Sequence, residues 1–130
     1  MEKLRIGLLG ESKITVTNSN TAVAYGSGDI SVFATPAMIA LMENAALNSV
    51  QPFLSEGMTT VGVDIKVKHI AATPLGMEVV AKSELIEIDG KKLVFKVEAF
   101  DEKDKVGEGT HERFAIVSEK FMKKVIEKKN

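Results

Sequence analysis

The 130 residues suit one domain around one hydrophobic core, and 45% hydrophobic with 27% charged residues is an ordinary globular balance. A formal net charge of -1 argues against a nucleic-acid groove, which needs a basic excess. With no cysteine there is no disulfide, no thiolate nucleophile and no cysteine-held zinc, and two histidines make a poor metal set.

The N-terminal run from Met1 to Glu11 is too short and too interrupted for a signal peptide, and no stretch reaches membrane-spanning length. A cytoplasmic protein without membrane partners is the expectation. Residues 11–18 alternate and predict a strand, which residues 22–25 could extend before Gly26-Ser27-Gly28 turns the chain. Thr35 can cap a helix and Pro36 suits its first turn, so a helix is expected from about Pro36 to about Val50, closed by Pro52 and Gly57. Residues 59–70 place Val61, Val63, Ile65 and Val67 on one face of a strand and Gly62, Asp64, Lys66 and Lys68 on the other. Thr73-Pro74-Leu75-Gly76 marks a turn, and strands follow at 77–88 and 91–100 around an Asp89-Gly90 hairpin. A charged loop at 101–104 leads to a last strand at about 105–117, and the tail 118–129 has helical spacing. The whole reads as one α+β domain over residues 1–130: about five antiparallel strands curved around one apolar helix, plus a short C-terminal helix.

Three residues stand out within this frame. At 100° per residue, Asn44, Asn48 and Gln51 form a polar stripe on the helix, and Glu43 lies about 100° from its centre, beside Ile39 and Val50. It is the only charge between Asp29 and Glu56. A carboxylate among apolar side chains is costly unless paired, so it either snorkels to the helix edge or belongs to a site. His69 continues the alternation of Val61 to Val67 and should face the helix, as a core histidine or as a functional one. Thr35 is an N-cap by position, and its hydroxyl would sit beside the free N–H groups of a helix start, where an oxyanion could be held. Hydroxyl, carboxylate and imidazole are the chemical types of a nucleophilic triad, although spacing alone does not bring them together.

The blocks Val32-Phe33-Ala34-Thr35-Pro36-Ala37-Met38-Ile39-Ala40-Leu41-Met42-Glu43-Asn44-Ala45-Ala46 and Val67-Lys68-His69-Ile70-Ala71-Ala72-Thr73-Pro74-Leu75-Gly76-Met77, with Gly26-Ser27-Gly28 ahead of them, resemble the fluoroacetyl-CoA-thioesterase-like family of hotdog proteins. The resemblance spans roughly residues 10–118. It implies a hotdog fold and an acyl-CoA thioesterase. It also implies catalytic roles for Thr35, Glu43 and His69, and substrate contacts from Gly62, Phe33 and Arg113. Gly62 would line the acyl pocket. No cofactor is implied, coenzyme A being part of the substrate. The partner implied is a second copy, in a homodimer or a tetramer built from it, with the site at the subunit interface. The fluoroacetate-specific member carries an aromatic lid residue before the helix. This chain has Gly28-Asp29-Ile30 around that place, so a short- or medium-chain acyl-CoA is the expected substrate. Lys66, Lys68, Arg113 and the C-terminal lysines are candidates for the coenzyme A phosphates, and His111 has no assignable role. Two other readings compete: a non-catalytic acyl-CoA-binding protein, and a hotdog hydratase or dehydratase.

Overall fold

The computed structural model describes residues 3–130, so Met1 and Glu2 of the N-terminal run lie outside the described residues. Five strands, β1 (Leu9–Thr15), β2 (Met58–His69), β3 (Glu78–Asp89), β4 (Lys92–Phe100) and β5 (Lys105–Val117), form one antiparallel sheet in the order β1-β3-β4-β5-β2. A helical turn, α1 (Ala22–Tyr25), and a long helix, α2 (Thr35–Val50), fall between β1 and β2. Helix α3 (Ser118–Ile126) closes the chain with a 3₁₀ turn over Glu127–Lys129. Strand β5 and the C-terminal helix lie where the sequence places them.

Helix α2 is the core. Its Ala37, Met38, Leu41, Met42, Ala45, Ala46 and Val50 are buried against Val79, Ala81, Leu85, Leu93, Phe95, Val97 and Ala99 of β3 and β4. The alternation along these strands sends every second side chain inward, which is why β4 reads Leu93, Phe95, Val97, Ala99 on the buried face. Register shifts at Gly62/Asp64, Leu85/Glu87 and Ala99/Phe100 increase the local twist and curl the sheet around the helix. At β1 the helix comes so close that a Cβ on Gly10 would collide with the Ala45 carbonyl oxygen and stand 2.7 Å from Ser49 Cβ. The polar stripe of α2 is spent on docking. Asn44 accepts hydrogen bonds from Ser12 Oγ (2.8 Å) and from Asn48 (3.0 Å), while Gln51 bridges Thr59 and the Met58 carbonyl.

Four expectations are corrected. Residues 22–25 do not extend β1. The Thr21 hydroxyl accepts from Ala24 N (3.2 Å) and Gly26 takes the left-handed conformation (φ 67°), so the segment is capped at both ends as a helical turn. Thr35 does not cap α2. The N-cap is Ala34, without a side-chain bond, and Thr35 and Pro36 are the first helical residues. The β3–β4 loop is Gly90-Lys91, with Asp89 paired to Lys92 as the last rung. Finally, β2 does not keep one phase. Val63 is bulged out at 56% exposure, Thr60 and Gly62 pair with the buried Ala115 and Arg113, and inward positions resume at Ile65, which pairs with the buried His111. One extra residue reverses the alternation, so Val61 and Val63 are not on the face of Ile65, Val67 and His69.

Replacing Gly10 by Ala should force α2 off β1 and destabilise the fold by about 1–3 kcal/mol, as overpacked sites do. A urea titration reads this directly, and an unchanged midpoint would show that the helix can move away freely.

Candidate active site

Thr35 and His69 meet. Thr35 stands exposed at the first turn of α2, and His69 is the last residue of β2. Thr35 Oγ1 and His69 Nδ1 share a hydrogen bond of 2.7 Å. The contact works because the bulge restores His69 to the inward face, at the end of the sheet where the helix begins. The two residues line an open cleft of about 380 Å³ with Ala22, Ser27, Val32, Phe33, Ile70, Ala71 and Ala72. The Gly26-Ser27-Gly28 turn forms one wall. The first-turn N–H groups of a helix have no intrahelical acceptor, and Pro36 has no N–H, so Thr35 and Ala37 supply the backbone donors at this end. Phe33 is buried but still borders the cleft.

His69 titrates below the ordinary histidine value of 6.5 because burial disfavours its charged form, and the nearby Ala71 backbone offsets only part of this. Its Nε2 is shielded from solvent and makes no well-formed hydrogen bond. A neutral imidazole beside a hydroxyl is a base poised to take the hydroxyl proton.

Glu43 is elsewhere in the chain. Eight residues along α2 from Thr35 is about 12 Å of helix rise, so it touches neither Thr35 nor His69 of its own chain. Its side chain, 39% exposed, belongs to a second cluster. Glu43 Oε2 lies 4.0 Å from His111 Nε2 and attracts the Arg113 guanidinium. A Cβ on Gly62 would stand 2.6 Å from that oxygen, so only glycine leaves the carboxylate its place. Arg113 is buried. It donates from Nε to Thr60 Oγ1 (2.7 Å) and from Nη2 to the Thr60 carbonyl (2.9 Å), which makes it an internal positive charge near Glu43 rather than a surface clamp for phosphate. His111 is almost fully buried and titrates below 6.5, chiefly through burial.

The structure therefore groups the sequence-predicted residues in two sets: Thr35, His69 and Phe33 at the cleft, and Glu43, Gly62 and Arg113 farther along the helix. His111 is the member that sequence reasoning left without a role. Its signal was its position two residues before Arg113 on β5, which puts both on one face.

A curled antiparallel sheet around a single helix is the architecture of the hotdog thioesterases. The crystal structure of a Thermus thermophilus thioesterase superfamily member superposes with a TM-score of 0.90 at 27% identity, over 99% of this chain and 96% of that one. The protein is a thioester hydrolase. The profile of the fluoroacetyl-CoA-specific thioesterases matches residues 16–119, and the chain belongs to that family. The fluoroacetyl-CoA thioesterase of Streptantibioticus cattleyicolor is 44% identical over 97 residues, covering 75% of this chain and 70% of that one. A phenylalanine-to-alanine variant of the fluoroacetyl-CoA-specific thioesterase superposes with a TM-score of 0.91 at 36% identity, over 98% of this chain and 99% of that one. A threonine-to-serine variant of such an enzyme, solved with acetyl-CoA, reaches 0.91 at 34% identity, over 98% of this chain and 100% of that one.

Because Thr35 makes no capping bond, Thr35→Ala should lower turnover by at least about 10²-fold while leaving thermal stability nearly unchanged. Kinetics and a melting curve on one preparation check this. The two histidines also set a pH dependence. Both have folded values below 6.5, so under that pH the unfolded chain binds protons that the folded chain refuses. Their contribution to stability is complete above about 6.5 and is lost as pH falls. His111→Gln should flatten the acid-side decline of the urea midpoint, and an unaltered slope would show that other groups carry it.

Proposed function

We propose that the protein is a homodimeric acyl-CoA thioesterase for short- to medium-chain acyl groups, with Thr35 as nucleophile, His69 as base and Glu43 of a second copy completing each site. The observation that carries this reading is the 2.7 Å bond between Thr35 Oγ1 and His69 Nδ1 at a helix start inside an open cleft. In the first step His69 takes the Thr35 proton while Oγ1 adds to the thioester carbonyl, whose oxygen is held by the first-turn N–H groups. The tetrahedral adduct collapses, the C–S bond breaks, and coenzyme A leaves as the thiol with the proton from His69. Water then attacks the acyl-threonine and gives a proton to Glu43; the C–Oγ1 bond breaks, Glu43 returns the proton to Thr35 Oγ1, and the carboxylic acid leaves. No cofactor enters, and coenzyme A is only the leaving group.

The dimer is supported by what one chain lacks. β2 is an edge strand with Val63 exposed, and an open strand edge seeks a partner. Glu43 is partly exposed and out of reach of its own Thr35. A short- to medium-chain acyl group, fluoroacetyl included, is supported by the segment before α2, where Gly28, Asp29 and Ile30 are exposed and residues 26–32 carry no aromatic ring. Relatives named for fluoroacetyl-CoA and solved with acetyl-CoA support small acyl groups as part of this range.

Thiol release across a panel from acetyl-CoA and fluoroacetyl-CoA to medium-chain acyl-CoAs tests the activity, and release from none of them would overturn it. Glu43→Gln should stall at the acyl-enzyme, seen as an acyl adduct on Thr35 by intact-protein mass spectrometry. Mixing inactive Thr35→Ala and Glu43→Gln proteins tests the shared site. Hybrid dimers regain one intact site in the shared arrangement and none if each chain works alone. Mixtures no more active than their parents would sink the shared-site reading.

A further inference from the structure

The cluster around Glu43 is organised by a side chain that the reaction scheme does not use. His111 sits on β5 opposite Ile65 of β2 and Phe95 of β4, with 1% of its surface exposed. Its Nδ1 lies 2.8 Å from the Asp64 carbonyl, immediately past the bulge at Val63. A carbonyl only accepts, so Nδ1 carries the proton and Nε2 is left with its lone pair. A guanidinium only donates, so the 3.1 Å contact runs from Arg113 Nη1 to His111 Nε2. With Nε and Nη2 already held by Thr60, three acceptors fix the guanidinium plane. The groups converge over Gly62, where an added Cβ would lie 2.6 Å from Glu43 Oε2, 3.2 Å from His111 Cε1 and 3.5 Å from Arg113 Nη1.

We propose that His111 is a positioning residue for Glu43: seated on the bulge carbonyl, it accepts from Arg113 and so fixes the guanidinium's positive charge beside the Glu43 carboxylate over Gly62. The inference rests on the reading of Glu43 as a catalytic group. His111 itself never touches substrate. It works as a neutral ring, because a proton on Nε2 would remove the lone pair that accepts from Arg113 Nη1. The groups facing it are Arg113 on its own strand, Glu43 from α2 and the Asp64 main chain from β2, with the Asp64 carboxylate a more distant influence.

Steady-state kinetics on acetyl-CoA, or on the fastest substrate of the panel, test this with Glu43→Gln, His111→Phe, the double variant and His111→Gln. His111→Phe keeps a ring beside Phe95 but removes the acceptor. It should lower kcat by up to about 10²-fold, the effect of a displaced catalytic group, with KM within about twofold. In the Glu43→Gln background the same change should cost nothing further, because the group it positions is already gone. His111→Gln, which retains an acceptor, should recover part of the loss. Additive losses in the double variant, or near-normal kcat in His111→Phe, overturn the proposal while leaving Glu43 catalytic. Full activity in Glu43→Gln overturns the earlier reading and this one with it. ¹⁵N NMR of the wild-type protein decides the matter without any variant: His111 should be the Nδ1–H tautomer at neutral pH, and the Nε2–H tautomer would refute the proposal.

Discussion

Helix α2 cannot be left in water. Half of its sixteen residues are buried, and they are alanines, methionines, leucine and valine, with Ser49 turned back onto the Ala46 carbonyl. Removing apolar surface from water is worth about 25 cal/mol for each Å² covered, and the sheet must curl to cover a cylinder. Much else follows from that demand. The strands bulge where curvature is needed, Gly10 gives up its side chain so that β1 can lie against the helix backbone, and the asparagines of α2 fasten its polar stripe to the rim. The helix start is where the wrapping ends, which is why a polar pair and an open cleft are found there and not at the middle of the bundle.

The frame was largely legible in the sequence because its signals are periodic and redundant. A long apolar run after Thr35-Pro36 and the alternation in β4 each rest on many residues, so one misleading position does not matter. The misreadings came where a single residue decides. Val23 and Tyr25 favour strands, yet one threonine hydroxyl and one left-handed glycine impose a helical turn. In β2 the spacing of Val61, Val63, Ile65 and Val67 imitates an unbroken face. An exposed edge strand tolerates an outward valine, and so nothing in the pattern reveals the bulge. His69 was placed on the correct face because only the half of the strand after the bulge governs it.

The candidate site was legible as a list and not as a geometry. Alternation and helical phase set Glu43 and His69 apart as unusual, and family resemblance supplied their roles. Neither could say that Thr35 pairs with His69 while Glu43 lies beside His111. That partition comes from the length of the helix. The capping role expected for Thr35 also fell away, which leaves its hydroxyl free for chemistry. His111 was left without a role because a lone histidine on a strand is informative only when its cross-strand neighbours are known.

The bulge at Val63 makes the number of residues in β2 matter as much as their kind. Gly62 lies before it and His69 after it, and both must point the same way although seven positions separate them. In a plain strand an odd separation puts two residues on opposite faces. The extra residue changes the parity. An insertion or deletion between these two positions would therefore turn one half of the site to the outside without altering any residue in it. Side chains along β2 can be exchanged with some freedom, but the residue count there must stay fixed for the site to hold together, like the reading frame of a message.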